Sequence, residues 1–265
     1  MILVDSHCHL YADQFNEDRD QVLEAAIKSG VKKIILPNID RDSVNPMHEL
    51  SNRYPENCFP MMGLHPCSVK ENFRNELDFH KNLLYQNLDQ YVGVGEIGID
   101  LYWDKSTLNE QKIAFKEQCN WAIDLDLPIA IHVRDSFNEV FECLDEIDTS
   151  KLKGVFHCFS GNKEQAQKAL SYPNFILGIG GVVTFKNSKL GATLTEFVPK
   201  EKLVVETDSP YLTPHPHRGK RNSPEYIPLI AQKLADLYLC SEEEIAEIST
   251  NNIKRMFPKV FNNDI

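Results

Sequence analysis

The chain has 265 residues, with 28 Lys and Arg against 39 Asp and Glu for a formal net charge of −11, and it carries nine His and seven Cys. That length is ample for a buried core, and 42% apolar with 25% charged residues is ordinary for a folded domain, which excludes disordered and collagen-like classes. The acid excess excludes generic phosphate-backbone binding through a basic surface, so a nucleic-acid substrate would need local help. No apolar run approaches the ~20 residues of a membrane span. The opening Met-Ile-Leu-Val-Asp-Ser has no basic n-region. The cysteines (8, 58, 67, 119, 143, 158, 240) are odd in number and contain no C-x-x-C, which argues against a disulfide framework and for a reducing cytosol.

Eight short, β-branched-rich runs recur along the chain: 1–6, 32–37, 59–64, 91–97, 128–133, 154–158, 175–181 and 203–206. Their starts fall roughly 20 to 40 residues apart, the length of a strand, a helix and two loops. Most are continuously apolar, as strands buried on both faces should be. Helical patterns lie between them. In 17–30, Val22, Leu23, Ala26 and Ile27 form a stripe, and Gly30 stands at the C′ position. Residues 109–127 repeat the pattern and stop before Pro128. After the last strand, 224–239 and 242–256 read as helices, with Ser241 and Glu244 forming a capping box for the second. The expectation is an α/β protein: a TIM-type (β/α)8 barrel forming a single domain over residues 1–265. An open doubly wound sheet is the alternative, but no G-x-G-x-x-G follows the first strand.

A barrel of this type places its chemistry at the C-terminal ends of the strands. The first run ends in Asp5-Ser-His7-Cys-His9, the third in Gly63-Leu-His65-Pro, and the fourth in Gly95-Glu96-Ile-Gly-Ile-Asp100. The fifth gives His132-Val-Arg134, the sixth His157-Cys-Phe-Ser-Gly, and the eighth Glu206-Thr-Asp208-Ser-Pro. Asn38 follows the second, and Thr184 with Lys186 the seventh. Residues two apart on a strand share a face, so His7 pairs with His9, His132 with Arg134, and Glu206 with Asp208. Imidazoles and carboxylates crowded in one mouth suit divalent metal. Four His (7, 9, 132, 157) with Glu96 and Asp208 suffice for two ions about 3.5–4 Å apart. Taken singly these residues have plainer readings, such as a hydrogen-bonded core histidine for His132 or His157. Glu206 is open between metal contact and a pair with Arg134 or Lys186. Asp5 reads as a structural group orienting an imidazole, and His48 and His80 as surface residues of helices.

These motifs make the sequence resemble the TatD-related deoxyribonuclease family of metal-dependent hydrolases. The stretches that carry the resemblance are Asp5-Ser-His-Cys-His-Leu10, Gly63-Leu-His-Pro66, Gly95-Glu-Ile-Gly-Ile-Asp100, His132-Val-Arg-Asp135 and His157-Cys-Phe-Ser-Gly161. Gly180-Gly-Val-Val-Thr-Phe-Lys186, Glu206-Thr-Asp-Ser-Pro-Tyr-Leu212 and Pro216-His-Arg-Gly-Lys-Arg-Asn222 complete the series. The segment Leu101-Tyr-Trp-Asp-Lys105 departs from the commoner family wording. The resemblance implies a TIM barrel with two divalent cations (Mg, Mn or Zn). His7, His9, Glu96 and Asp208 would hold one, and a bridging Glu96 with His132 and His157 the other. It further implies hydrolysis of DNA phosphodiesters, and the cysteine pattern above makes the expected location cytoplasmic. In that reaction Asp208 would steer or deprotonate water, and His65 would bind the phosphate or protonate the leaving oxygen. Arg134 and Arg221 would clamp phosphate, with Lys186 and Lys220 adding charge. An amidohydrolase-type barrel cutting a C–N or C–O bond is the rival, but such barrels often bridge their metals with a modified Lys on strand four, and residues 91–98 contain none. A non-catalytic binding barrel is a further rival.

Overall fold

The computed structural model describes residues 2–262. Eight strands appear in the expected order: β1 (Leu3–Asp5), β2 (Val31–Pro37), β3 (Cys58–Met61), β4 (Val94–Asp100), β5 (Ile129–Arg134), β6 (Gly154–Phe156), β7 (Phe175–Ile179) and β8 (Leu203–Val205). All pair in parallel, β1 to β3 in one sheet and β4 to β8 in another. Two parallel bridges, Met62 to Val94 and Cys8 to Ser209, join the sheets at both seams and close the barrel. The open doubly wound alternative is thereby excluded. Among the described residues, no helix is long and apolar enough to cross a membrane.

Helices α1 (Arg19–Lys28), α2 (Arg41–Arg53), α3 (Phe73–Gln86), α4 (Leu108–Asp124), α5 (Phe137–Asp145), α6 (Lys163–Ser171) and α7 (Leu190–Phe197) follow the first seven strands in turn, and α8 (Ile227–Tyr238) and α9 (Glu242–Met256) follow the eighth. Asp40 and Ser43 make a reciprocal capping box on α2, and Asn162 and Gln165 another on α6. On α9 only half of the expected box forms. Ser241 Oγ accepts the Glu244 amide at 3.1 Å, but the Glu244 carboxylate is taken by Lys200. Strand four begins later than expected and runs on to Asp100, because the register with β5 continues from Ile97–Ile131 to Asp100–Arg134.

Alternation along the strands explains both the core and the site. Leu3, Ile34, Ile129, Phe156, Leu177 and Leu203 face outward into the layer beneath the helices. Their neighbours Val4, Ile35, Met61, Ala130, Val155, Ile176 and Val204 face inward and fill the lumen, closed from below by Ile253, Met256 and Phe257. Two residues further along, the inward positions change character: Ala130 is followed by His132, Val155 by His157, Val204 by Glu206, and Val4 by Ser6. The apolar floor thus passes in one pleat to a layer of ionisable groups.

Candidate metal centre at the barrel mouth

Glu96 is the centre of that layer, 2% exposed on β4. Its two oxygens face different strands. Oε2 lies 3.1 Å from His7 Nε2 and 3.4 Å from His9 Nε2. Oε1 lies 2.7 Å from His132 Nδ1, 3.1 Å from His157 Nε2 and 3.4 Å from His65 Nε2. Asp208 Oδ1 completes the His7–His9 side at 3.8 and 3.6 Å. The six expected ligands are therefore brought together, with His65 beside them.

Parity explains only part of this. His7 and His9 do share a side, with ring nitrogens 3.3 Å apart. Glu206 and Asp208 do not act as a pair: Asp208 adopts a left-handed backbone (φ 58), held by its amide on the His7 carbonyl at 2.9 Å. Asp tolerates that conformation better than most residues, and such positions cluster at functional sites.

Hydrogen bonds behind the rings fix their tautomers. His132 Nε2 donates to Asp100 Oδ2 at 2.8 Å, leaving the Nδ1 lone pair toward Glu96. His157 Nδ1 donates to Glu206 Oε1 at 3.2 Å, leaving Nε2 inward. Tyr11 donates its hydroxyl to the Pro37 carbonyl at 2.5 Å, so its oxygen accepts from His9 Nδ1 at 2.9 Å, and the nitrogen of His9 that faces the site is Nε2. His65 is opposite. Its Nδ1 accepts the Cys67 amide at 3.1 Å, so the neutral ring carries its proton on Nε2, facing the site. In their neutral forms His9, His132 and His157 turn a lone pair toward the site and His65 turns a proton toward it.

This donor set fits divalent metal. With His132 Nε2 donating to Asp100, its Nδ1 lone pair lies 2.7 Å from the Glu96 carboxylate, and His7 and His9 turn nitrogens toward each other at 3.3 Å, so a cation or a proton must lie between these acceptors. His7 Nδ1, stacked under His157, has no hydrogen-bond partner among the described residues. Burial disfavours charge on His9, but its bonds to Asp208 and Glu96 outweigh it and push the imidazole up to about 10. His157 rises against the same burial through Glu96 and Glu206. Burial likewise opposes ionisation of Glu96, and the surrounding His157, His65 and His7 overcome it and hold the carboxylate well below its usual range. The cluster attracts positive charge, and several donors can share one ion: His7–His9–Glu96 and His65–Glu96–His132 each converge closely enough.

Several residues differ from expectation. Glu206 pairs with neither Arg134 nor Lys186, while its other expected role stands open, since its carboxylate converges with His7 and His157 closely enough to share an ion. It is fully buried, accepts the Cys158 amide, and orients His157. Gly178 makes room for it, since a Cβ there would lie 2.2 Å from Glu206 Oε2. Asp5 orients no imidazole; it binds the Thr207 amide and hydroxyl and the His7 amide, clasping β1 to the segment after β8. Arg221 forms a two-pronged pair with Asp18 (2.8 and 2.6 Å) over the Phe15 ring. Lys186 and Lys220 are exposed, and Arg134 lies exposed at the mouth against Tyr102. His80 is buried, not at the surface, because it shares the apolar stripe of α3 with Leu77 and Leu84. His48 is half-buried and pairs with the Tyr91 hydroxyl at 2.9 Å. Sequence reasoning assigned no role to Asp100 or Tyr11. The visible signal for Tyr11 was its place in the 7, 9, 11 alternation.

An eight-stranded parallel barrel with imidazoles and carboxylates converging at its C-terminal mouth defines a metal-dependent hydrolase. Comparison narrows the class. The profile of the TatD related DNase family matches residues 4–258. The chain is 38% identical to the uncharacterized metal-dependent hydrolase YabD of Bacillus subtilis, covering 97% of this chain and 99% of that one. It is 32% identical to the 3'-5' ssDNA/RNA exonuclease TatD of Salmonella typhimurium, over 98% and 100% of the two chains. The crystal structure of the TatD homologue YjjV from Escherichia coli superposes with a TM-score of 0.90 at 29% identity, covering 97% and 98%. The chain belongs to the TatD family of metal-dependent hydrolases.

Proposed function

We propose that the chain hydrolyses phosphodiester bonds of DNA with two divalent cations, one held by His7, His9, Glu96 and Asp208 and the other by Glu96, His132 and His157. The observation that carries this reading is Glu96, whose two oxygens each face a separate group of ring nitrogens. A carboxylate can serve two cations in that way, and a neutral imidazole cannot. The imidazole-rich donor set suits Zn or Mn, and Mg is the third candidate. The similarity to a relative named as a single-strand exonuclease supports the substrate class, and β4 supplies a Glu where a Lys-bridged amidohydrolase would need Lys.

Bound divalent cations would acidify water and neutralise phosphate charge. The residues do the rest. Asp208 keeps 14% of its side chain accessible against 3% for Glu96, so it can accept a proton from water arriving at the mouth. His65 presents its Nε2–H and is 13% accessible, which suits it to donate a hydrogen bond to the phosphate or to the leaving oxygen. Arg134 and Lys186 supply exposed positive charge to the phosphates. Arg221, turned to Asp18, anchors the loop that follows Asp208.

The test is a metal-titrated assay on single- and double-stranded DNA with free and blocked ends, using wild type and Glu96→Gln. Wild type should cleave only after metal is restored to chelated protein, and Glu96→Gln should lose turnover while staying folded. Near-wild-type turnover in Glu96→Gln, or no cleavage of any strand with Mg, Mn or Zn, overturns the proposal.

A further inference from the structure

The loop after β4 carries two aromatic rings that the fold leaves in solvent. Tyr102 is 53% exposed and Trp103 72%. They meet edge to face at 4.9 Å, and the Arg134 guanidinium lies over them, 3.7 Å from the Tyr102 ring centre and 5.6 Å from that of Trp103. Arg134 has no carboxylate partner among the described residues. Two exposed aromatics and an unpaired guanidinium at a barrel mouth make a surface with a flat apolar face and a positive edge.

The site anchors this surface directly. Asp100 accepts the amides of Tyr102 and Trp103 with Oδ1, at 3.0 and 3.4 Å, while its Oδ2 holds His132. Arg134 lies two residues beyond His132 on β5. Across the mouth, after β7 and β8, Lys186 and Lys220 are exposed. A chain of phosphates crossing the centre from that side would bring its terminal base to the aromatic side.

We propose that Tyr102, Trp103 and Arg134 form a stacking subsite for a nucleobase of single-stranded nucleic acid, next to the bond that is cut. The proposal deepens the nuclease reading and rests on it. A base in a single strand offers an open π-face. A base inside a duplex is covered on both faces and offers only its edges. The subsite therefore selects unpaired ends.

The experiment compares wild type with Trp103→Ala and Tyr102→Ala, all metal-loaded. Both side chains are largely exposed, so the variants fold. On a single-stranded oligonucleotide, KM should rise about 5- to 150-fold, the range for one lost base stack, with kcat nearly unchanged. On an abasic strand with the same phosphates, wild type and variants should have equal KM. A second readout needs no turnover. The chain has two Trp, and Trp121 is buried, so a hydrolysis-resistant phosphorothioate single strand should quench Trp103 fluorescence and duplex should not. Unchanged KM, an equal rise on the abasic strand, or no quenching overturns the subsite while cleavage still upholds the nuclease reading. Quenching with no cleavage of any strand upholds the subsite and overturns the nuclease reading.

Discussion

Replacing Asp100 by Asn changes one oxygen for an amide and keeps the shape of the side chain. In the native site, burial disfavours the Asp100 charge, but the bond to His132 and the amides of Tyr102 and Trp103 prevail and hold the carboxyl at about 2. It is therefore an anion that accepts from His132 Nε2 at 2.8 Å. Asn can keep its oxygen on the two loop amides only by turning its NH2 toward His132. Donor would then face donor. The ring is relieved by moving its proton to Nδ1, which points that proton at Glu96 Oε1, 2.7 Å away, where a lone pair is needed. A hydrogen bond to a charged group is worth about 1.5–3 kcal/mol, so affinity for the cation on that side should fall about 10- to 150-fold. Isothermal titration of metal into stripped protein should show one weakened class of site and one unchanged. The nitrogen-15 shifts of His132 should report the changed tautomer. Wild-type affinity at both sites in Asp100→Asn would refute the argument that this carboxylate sets the ring.

Three further substitutions probe the frame of the site. Gly98 has φ 152, and a Cβ there would sit 2.0 Å from the His132 carbonyl oxygen, a backbone atom that cannot swing aside. Gly98→Ala should cost about 2–4 kcal/mol from overlap and backbone strain together, measured by urea unfolding, and an unchanged midpoint would contradict the close approach of β4 and β5. The Asp18–Arg221 pair is partly open to solvent, which screens it, so Asp18→Ala and Arg221→Ala should each change stability by less than about 1 kcal/mol. If Arg221 acts by anchoring its loop, both variants should raise KM equally; a rise only in Arg221→Ala would place its guanidinium on the substrate.

The strands were legible because a parallel barrel buries them on both faces, which leaves runs such as Lys33-Ile-Ile-Leu-Pro37 in plain view. Their ends were less legible. Strand β6 stops at Phe156 and β8 at Val205, so His157 and Glu206 stand just past regular structure, where parity still predicts a side but no longer a partner. Asp208 lies beyond parity altogether, in a left-handed conformation that residue spacing does not encode. The ligand types could be read from the strand ends, since few other constraints concentrate His and carboxylate there. Most of their supporting groups could not, because Asp100 and Glu206 act through contacts between different strands; Tyr11, two residues from the His9 it holds, is the exception. His80 was misplaced for a related reason. A histidine on a helix reads as polar until the stripe it shares with Leu77 and Leu84 is seen to face inward.

The layering of the lumen explains how so many ionisable groups can be buried without dismantling the fold. Inward side chains below the site are mostly apolar, down to the cap formed by Ile253, Met256 and Phe257, with the buried Lys33 lying over the Phe59 and Phe261 rings at that end. The imidazoles and carboxylates lie in the next pleat, where most groups meet a partner from a different strand: Asp5 with Thr207, His157 with Glu206, and His132 with Asp100. In the two histidine pairings the bond fixes one ring nitrogen and leaves the other to point at Glu96. The desolvation that makes each lone group costly also strengthens its attraction to a cation. Moving one of these carboxylates to the rim would lower the cost of burying it, and would weaken by the same physics the affinity of the site for metal.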